Sequence, residues 1–117
     1  MIPVTPQTLA SVYECLRAFP PFCSMNLLPA DQVKFTVIRS RKSHGEYTRY
    51  IGTDIHFIRI SSSGHHHFNS LAQTIGHEMI HLHQARAKTE TRGQHNAEFR
   101  RIAARVCKKF GWDFGQF

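Results

Sequence analysis

The sequence of 117 residues predicts a small α+β domain in which helices cover one face of a short sheet. Two observations predict this class. Apolar residues recur at helical spacing in three segments, and short runs of β-branched and aromatic residues lie between the first segment and the second. The length suits one hydrophobic core and is too short for a second full domain, so we expect residues 1–117 to form a single domain.

The first helix is predicted between Thr5 and Phe19, because apolar side chains recur there every three or four residues. Pro6 marks its start, and Pro20 and Pro21 follow its end. Its apolar face comprises Leu9, Val12, Tyr13, Leu16 and Phe19.

Three strand candidates follow a connection at residues 22–32. They are Val33–Ile38, Tyr47–Ile51 and Ile55–Ile60, each rich in β-branched and aromatic residues. A polar, basic turn separates the first two candidates, and Gly52 separates the last two. Because the connections are short, we expect a small antiparallel sheet.

The second helix is predicted from a cap at Asn69 or Ser70 to about Ala85. At about 100° per residue, its apolar side chains fall on one stripe that faces the core. That stripe comprises Leu71, Ala72, Ile75, Met79 and Leu82.

The third helix is predicted from an N-cap at Asn96 to about Phe110, after a polar loop at residues 87–95. Gly111 is placed to end it. Its apolar stripe comprises Phe99, Ile102, Ala103, Val106 and Phe110.

The second helix carries an H-E-x-x-H pattern formed by His77, Glu78 and His81. The two histidines project about 40° apart on the helix, so their ring nitrogens can meet at one metal ion about 2.0–2.1 Å away. Glu78 lies too far round the helix to bind that ion but can reach a water beside it. This pattern predicts a site for metal-assisted hydrolysis. His83 points away and is interpreted as a surface or packing histidine.

Two histidines do not hold a catalytic metal firmly, so a third protein ligand is required. The polar loop is long enough to return His95 to the second helix. A run at His65–His67 lies about 15 Å along the helix from the pair and is better interpreted as a polar loop at a cleft rim. The full set of candidates is His95, Glu98, His44, His56 and His65–His67.

The H-E-x-x-H run, a spacer of thirteen residues and the motif H-N-A-E-F starting at His95 resemble the SprT-like zinc metalloprotease family, which includes the Spartan proteases. The resemblance implies a small zincin-like domain that binds Zn²⁺ through His77, His81 and His95. In that family a glycine usually stands at the position of Asn96. Asparagine adopts the left-handed conformation more readily than most residues, which makes the replacement compatible with a turn.

The resemblance also implies a mechanism. Zinc lowers the pKa of its water toward about 7, and Glu78 accepts a proton and passes it to the leaving amine. Tyr47, Tyr50 or a loop histidine could assist at the carbonyl oxygen. Glu98 could orient an imidazole, although a charge favoured by the helix N-terminus is the preferred interpretation.

Fifteen Lys and Arg residues against eight Asp and Glu residues give a formal charge of +7, which favours polyanionic partners. A solvated basic surface would explain this charge without any function. The resemblance, whose best-known members cleave proteins crosslinked to DNA, implies contact with single-stranded or duplex DNA by this domain alone. The candidate DNA-contacting residues are Arg39, Arg41, Lys42, Arg101, Arg105, Lys108 and Lys109.

Composition excludes other classes of protein. No apolar run approaches the roughly 18 residues of a membrane span, and no secretory signal is evident, so we expect a cytoplasmic protein without a membrane partner. The cysteines, Cys15, Cys23 and Cys107, are odd in number and lack C-x-x-C spacing, which excludes a disulfide framework and a four-cysteine zinc site. We expect them to be buried.

Three functional hypotheses follow. The first is a zinc-dependent endopeptidase that acts on proteins associated with or crosslinked to DNA. The second is a metallopeptidase that cleaves a specific regulatory protein without DNA. The third is a non-enzymatic basic binding module in which zinc joins the last two helices.

Overall fold

The computed structural model describes residues 2–64, 67–90 and 95–117. His65, His66 and the part of the predicted loop that holds Gly93 therefore lie outside the described residues. Within the described ranges the chain forms three α-helices and one three-stranded sheet. The elements are α1 (Pro6–Arg17), β1 (Val33–Ile38), β2 (Gly45–Arg49), β3 (His56–Ser61), α2 (Phe68–Ala87) and α3 (Ala97–Phe110).

The sheet is mixed, with the strand order β1-β3-β2. β2 pairs with β3 in antiparallel fashion, as expected, but β1 pairs with β3 in parallel, so the prediction of a wholly antiparallel sheet was wrong. The reason is burial. β3 takes the central position because Ile58 and Ile60 are fully buried, whereas most of β2 is exposed or half-buried and forms an edge.

The predicted second strand was placed two residues too late. Tyr50 and Ile51 belong to the turn between β2 and β3, where the amide of Thr53 donates to the carbonyl of Tyr50. Gly52 has a φ of +77°, a left-handed conformation that suits glycine. As a result Ile51 is 99% exposed, although its side chain alone favours a strand.

The hydrophobic core lies between the sheet and the helices. The predicted stripes of α2 and α3 are both buried apart from Phe110, which is half-buried. In α1 the buried residues are Leu9, Val12, Tyr13 and Leu16, while Phe19 lies beyond the end of the helix and is about half exposed.

The caps of α3 agree with the prediction, and the cap of α2 does not. The side chain of Asn96 accepts a hydrogen bond from the amide of Phe99, and Gly111 ends α3 with a φ of +74°. α2 begins one residue before the predicted caps, with His67 at its N-cap position. Asn69 is the second residue of the helix and not its cap, and its side chain accepts a hydrogen bond from the Trp112 indole.

The prediction of three buried cysteines was correct only for Cys107. Cys15 lies on the exposed side of α1, and Cys23 is an exposed residue of a 3₁₀ turn. Among the described residues, no helix combines the length and the apolar character that crossing a membrane requires.

Candidate metal centre

Three histidines from two parts of the chain meet beside α2. His77 and His81 lie one turn apart on that helix, and His95 lies two residues before α3. One ring nitrogen from each histidine lies within 4.8 Å of the others, and the Nε2 atoms of His77 and His95 are 3.1 Å apart. Two nitrogens bound tetrahedrally at about 2.0–2.1 Å would be about 3.3–3.4 Å apart, so this spacing fits a shared metal ion.

The hydrogen bond on the far side of His77 favours metal binding. Its Nδ1 atom lies 3.1 Å from the main-chain oxygen of Phe117, which can only accept a hydrogen bond. Nδ1 therefore carries the proton, and the lone pair of Nε2 points toward the other histidines. This is the tautomer that binds a metal through Nε2.

Burial keeps the two helical histidines neutral. It lowers the pKa of His77 and of His81 to about 4, and the neighbouring imidazoles contribute in the same direction. Metal ligation requires neutral imidazole, so both rings are in the binding form near pH 7. A donor set of three imidazoles suits a divalent transition metal.

Glu78 lies between the two histidines in sequence and is 95% buried, with 5% of its surface exposed. Burial raises the pKa of its carboxyl group to about 8, and the charge of Glu46 adds to the effect. A carboxyl group poised near neutral pH can both accept and donate a proton. A bound cation would shift the balance toward the carboxylate.

The three histidines open onto a cleft of about 1180 Å³. The whole of β2 and one face of α2 line this cleft. Gln116 and Phe117 close part of the wall near His77. The cleft is large enough for a stretch of polypeptide and gives it direct access to the three rings and to Glu78.

The SprT-like family model matches residues 13–114, most of the chain. The chain belongs to the SprT-like family. A comparison with curated proteins found no match. Membership indicates a metallopeptidase-like domain, in agreement with the resemblance seen in the histidine motifs.

In this SprT-like domain the side chain of Asn96 holds the segment that contains His95 against α2. Its Oδ1 atom caps α3 and also accepts a hydrogen bond of 3.1 Å from Nε2 of the fully buried Gln84. Its Nδ2 atom donates to the carbonyl of Thr89 at 2.9 Å. Because His95 is the preceding residue, these bonds fix the position of its backbone.

His56, another ligand candidate, is not part of the centre. It is fully buried, with Nε2 against the Asp54 carboxylate and Nδ1 2.5 Å from the hydroxyl of Tyr47. In the tautomer that suits both neighbours, Nε2 donates to Asp54 and Nδ1 accepts the hydroxyl proton of Tyr47. The hydroxyl proton of Tyr47 is thus directed to His56 and not into the cleft.

The remaining candidates lie elsewhere. His44 is exposed at the rim of the cleft. Glu98 binds Arg101 in the first turn of α3, which fits the interpretation as a helix N-terminal charge. His83 is half-buried, and burial lowers its pKa.

The candidate DNA-contacting residues are all exposed and lie in two groups. Arg39, Arg41 and Lys42 lie between β1 and β2, and Lys42 lines the cleft. The second group lies on α3, where Arg101 is paired with Glu98. The members of the α3 group are Arg101, Arg105, Lys108 and Lys109.

Sequence reasoning missed several polar contacts at the metal centre and beside the cleft. The role of Phe117 could not be predicted from its residue type, because Phe117 acts through its main-chain oxygen and every residue has such an oxygen. The chain of Asp54, His56 and Tyr47 depends on the pairing of β2 with β3, which places Tyr47 near His56. Only the Asn96 cap had a local signal, and that signal did not extend to Gln84.

Proposed function

We propose that this protein is a zinc-dependent metallopeptidase that hydrolyses peptide bonds in its cleft. The observation that carries the proposal is the meeting of His77, His81 and His95 beside the buried carboxyl group of Glu78. Three imidazole ligands leave the fourth position of a tetrahedral site for water or substrate, which is the arrangement of a catalytic zinc site. A helix that presents two ligands and a general base agrees with the zincin-like arrangement implied by the family.

His77, His81 and His95 would hold the zinc ion, which supplies Lewis acidity and lowers the pKa of a bound water when it is present. Glu78 accepts a proton from the attacking water at its carboxylate and then donates it to the nitrogen of the leaving amine. The buried position of Glu78 excludes bulk water from that transfer.

The edge of β2 supports a polypeptide as the substrate. β2 pairs with β3 on one side, and its other side faces the cleft. In the antiparallel pattern, alternate residues of β2, including Tyr47 and Arg49, direct their main-chain polar groups away from β3. An extended polypeptide could hydrogen-bond to this edge beside the three histidines.

The proposal is tested by changing Glu78→Gln and measuring both cleavage of an unfolded protein and bound zinc. We expect proteolysis to fall by about 10²–10⁴-fold, because the proton acceptor is lost. Zinc should remain at one equivalent per chain, because the three imidazoles are unchanged. His83→Ala, on the same helix but outside the centre, is the matched control and should retain both properties.

Two results would contradict the proposal. One is cleavage by Glu78→Gln at the rate of the unaltered protein. The other is an X-ray absorption spectrum that shows four protein ligands around zinc, which would favour a binding module whose site is closed.

We further propose that the substrates are proteins associated with DNA. The support is electrostatic: Arg39, Arg41 and Lys42 are exposed, and Lys42 borders the cleft. A strand of nucleic acid bound there would bring an attached protein to the site.

The DNA proposal is tested with a triple variant, Arg39→Ala, Arg41→Ala and Lys42→Ala, in binding to single-stranded DNA at several salt concentrations. We expect weaker binding and a decrease of about 2 in the slope of log affinity against log salt, since three phosphate contacts are lost. Single-stranded DNA should also stimulate cleavage by the unaltered protein. Cleavage that is indifferent to DNA would favour a regulatory protein as the substrate.

A further inference from the structure

We propose that residues 112–117, the C-terminal segment, position the metal ligand His77. The inference rests on the metal centre of the proposed function. The segment follows the left-handed Gly111 and returns toward α2, with the amide of Trp112 bonded to the carbonyl of Cys107 at 2.9 Å. Its last residues form a short 3₁₀ turn, Phe114–Gln116.

Trp112 anchors the segment to the N-terminal half of α2. Its indole Nε1 donates to the side-chain oxygen of Asn69 at 2.9 Å, and its ring stacks on Phe110 with centroids 4.8 Å apart. A Cβ atom on Gly76 would lie 3.2 Å from the same ring, closer than most real Cβ contacts. The glycine therefore lets the indole lie against α2 one residue before His77.

Phe117 contacts both Trp112 and the metal ligand His77. Its ring stacks on that of Trp112 with centroids 5.9 Å apart and lies 5.3 Å from the ring of His77. Its main-chain oxygen accepts the Nδ1 proton of His77 at 3.1 Å. One residue thus limits the tilt of the imidazole and selects its tautomer.

The support is specific to one ligand. Phe99 contacts all three imidazoles, with centroids between 4.6 and 5.0 Å away, and so serves the cluster as a whole. Phe117 contacts His77. The imidazole of His77 therefore contacts both Phe99 and Phe117.

A main-chain acceptor on the second nitrogen of a ligating histidine fixes the tautomer and the ring orientation, and losing such a partner typically costs about 10–100-fold in metal affinity. The C-terminal segment is therefore a positioning element. We expect its effect to appear in metal affinity before it appears in the fold, because Trp112 and Phe117 lie at the border of the hydrophobic core and not within it.

The experiment compares zinc affinity, measured by competition with a chelator, in three variants and a control. Phe117→Ala removes the ring contacts, and deletion of residues 115–117 also removes the acceptor oxygen. Trp112→Phe removes the bond to Asn69 and the part of the indole that lies against Gly76. Phe114→Ala is the matched control, because its ring belongs to the same segment and is 48% exposed. Imidazole ¹⁵N spectra of the zinc-free proteins report the tautomer of His77.

We expect zinc affinity to fall about 10–100-fold on deletion and by a smaller factor in Phe117→Ala, with the control unchanged. The spectra should show Nδ1 protonated in the unaltered protein and a mixture of tautomers after deletion. If the deletion variant does not fold, Phe117→Ala and Trp112→Phe still decide the question. Unchanged affinity and an unchanged tautomer in the folded variants would overturn the inference, whereas absence of zinc binding by the unaltered protein would overturn the proposed function itself.

Discussion

Asn96 combines two roles at one position. Its backbone is extended, with a φ of −70°, so the left-handed tolerance of asparagine is not used there. Its side chain instead caps α3 and bonds to Gln84 and Thr89 at the end of α2. A glycine, which the family usually has at this position, could not make these bonds.

The two roles of Asn96 can be separated by substitution. Asn96→Gly should lower the free energy of unfolding by about 1–2 kcal/mol, because the bonds to the buried Gln84 and to Thr89 are lost from a half-buried site. Capping alone would account for only a few tenths of a kcal/mol, since glycine is a tolerable N-cap. Urea unfolding of the zinc-free protein measures the difference, and a loss of only a few tenths would show that the contact with α2 contributes nothing.

Tyr47 contributes to stability through the hydrogen bond of its hydroxyl to the buried His56. Burial raises the pKa of Tyr47, so its hydroxyl keeps the proton that it donates to His56. Tyr47→Phe should cost about 1–3 kcal/mol of unfolding free energy, because Nδ1 of His56 would lose its partner.

Tyr50→Phe is the matched control for Tyr47→Phe. Tyr50 is 59% exposed, and its substitution should change the unfolding free energy by less than about 0.5 kcal/mol. Equal effects of the two substitutions, measured by urea unfolding, would contradict the role given to the hydroxyl of Tyr47.

At the scale of elements, Glu14 joins α1 to the chain that leads into β1. Its carboxylate accepts hydrogen bonds from the amide of Ala30 at 2.7 Å and from Arg17. The bond from Arg17 is the main cause of the lowered pKa of Glu14, and the bond from Ala30 adds to it. A group whose folded pKa is depressed stabilises the fold above its unfolded pKa and loses that effect as the pH falls through its folded pKa.

Glu14→Gln should therefore lower stability by about 0.5–1 kcal/mol at pH 7, a modest effect because the carboxylate is partly exposed to solvent. The difference in unfolding free energy between the variant and the unaltered protein should disappear as the pH falls below the ordinary pKa range of a carboxyl group. Urea unfolding at pH 7 and pH 3 tests this. A gap of the same size at both values would mean that the charge of Glu14 is not involved.

The elements with local signals could be predicted from the sequence. α3 has a capping asparagine, a regular apolar stripe and a terminal glycine, and its bounds agree with the prediction. The order of the strands could not be predicted in this way, because the parallel pairing of β1 with β3 joins segments that the whole of β2 separates in sequence. Patterns in the strands predict that they pair, but not with which neighbour.

The candidate site, too, could be predicted only where the signal is local. The helical spacing places His77 and His81 together without further information. The approach of His95 followed from its motif and from the resemblance, since a loop of nine residues allows many paths. The oxygen of Phe117 was beyond prediction, because its position depends on how the chain turns after Gly111.

For the whole molecule, a bound zinc ion would join α2 to the segment before α3. Each of these parts contributes ligands, so zinc should bind the folded chain far more tightly than the unfolded one. The centre should therefore stabilise the molecule as well as serve catalysis.

We expect zinc at about 100 times its dissociation constant to add about 2.7 kcal/mol of stability. For a chain of this size that corresponds to a rise of about 10 °C in Tm. Calorimetry with zinc and with a chelator measures the shift. His95→Ala should abolish it and His83→Ala should retain it, and a shift that survives the loss of His95 would show that zinc binds elsewhere.

The exposure of Cys15 and Cys23 affects any measurement of the amount of zinc bound per chain. Exposed cysteines can bind zinc outside the imidazole cluster and can crosslink molecules in air, so they would add stray metal and covalent dimers to a preparation. Replacing both with serine, while leaving the buried Cys107 intact, would remove this source of stray zinc and of covalent dimers.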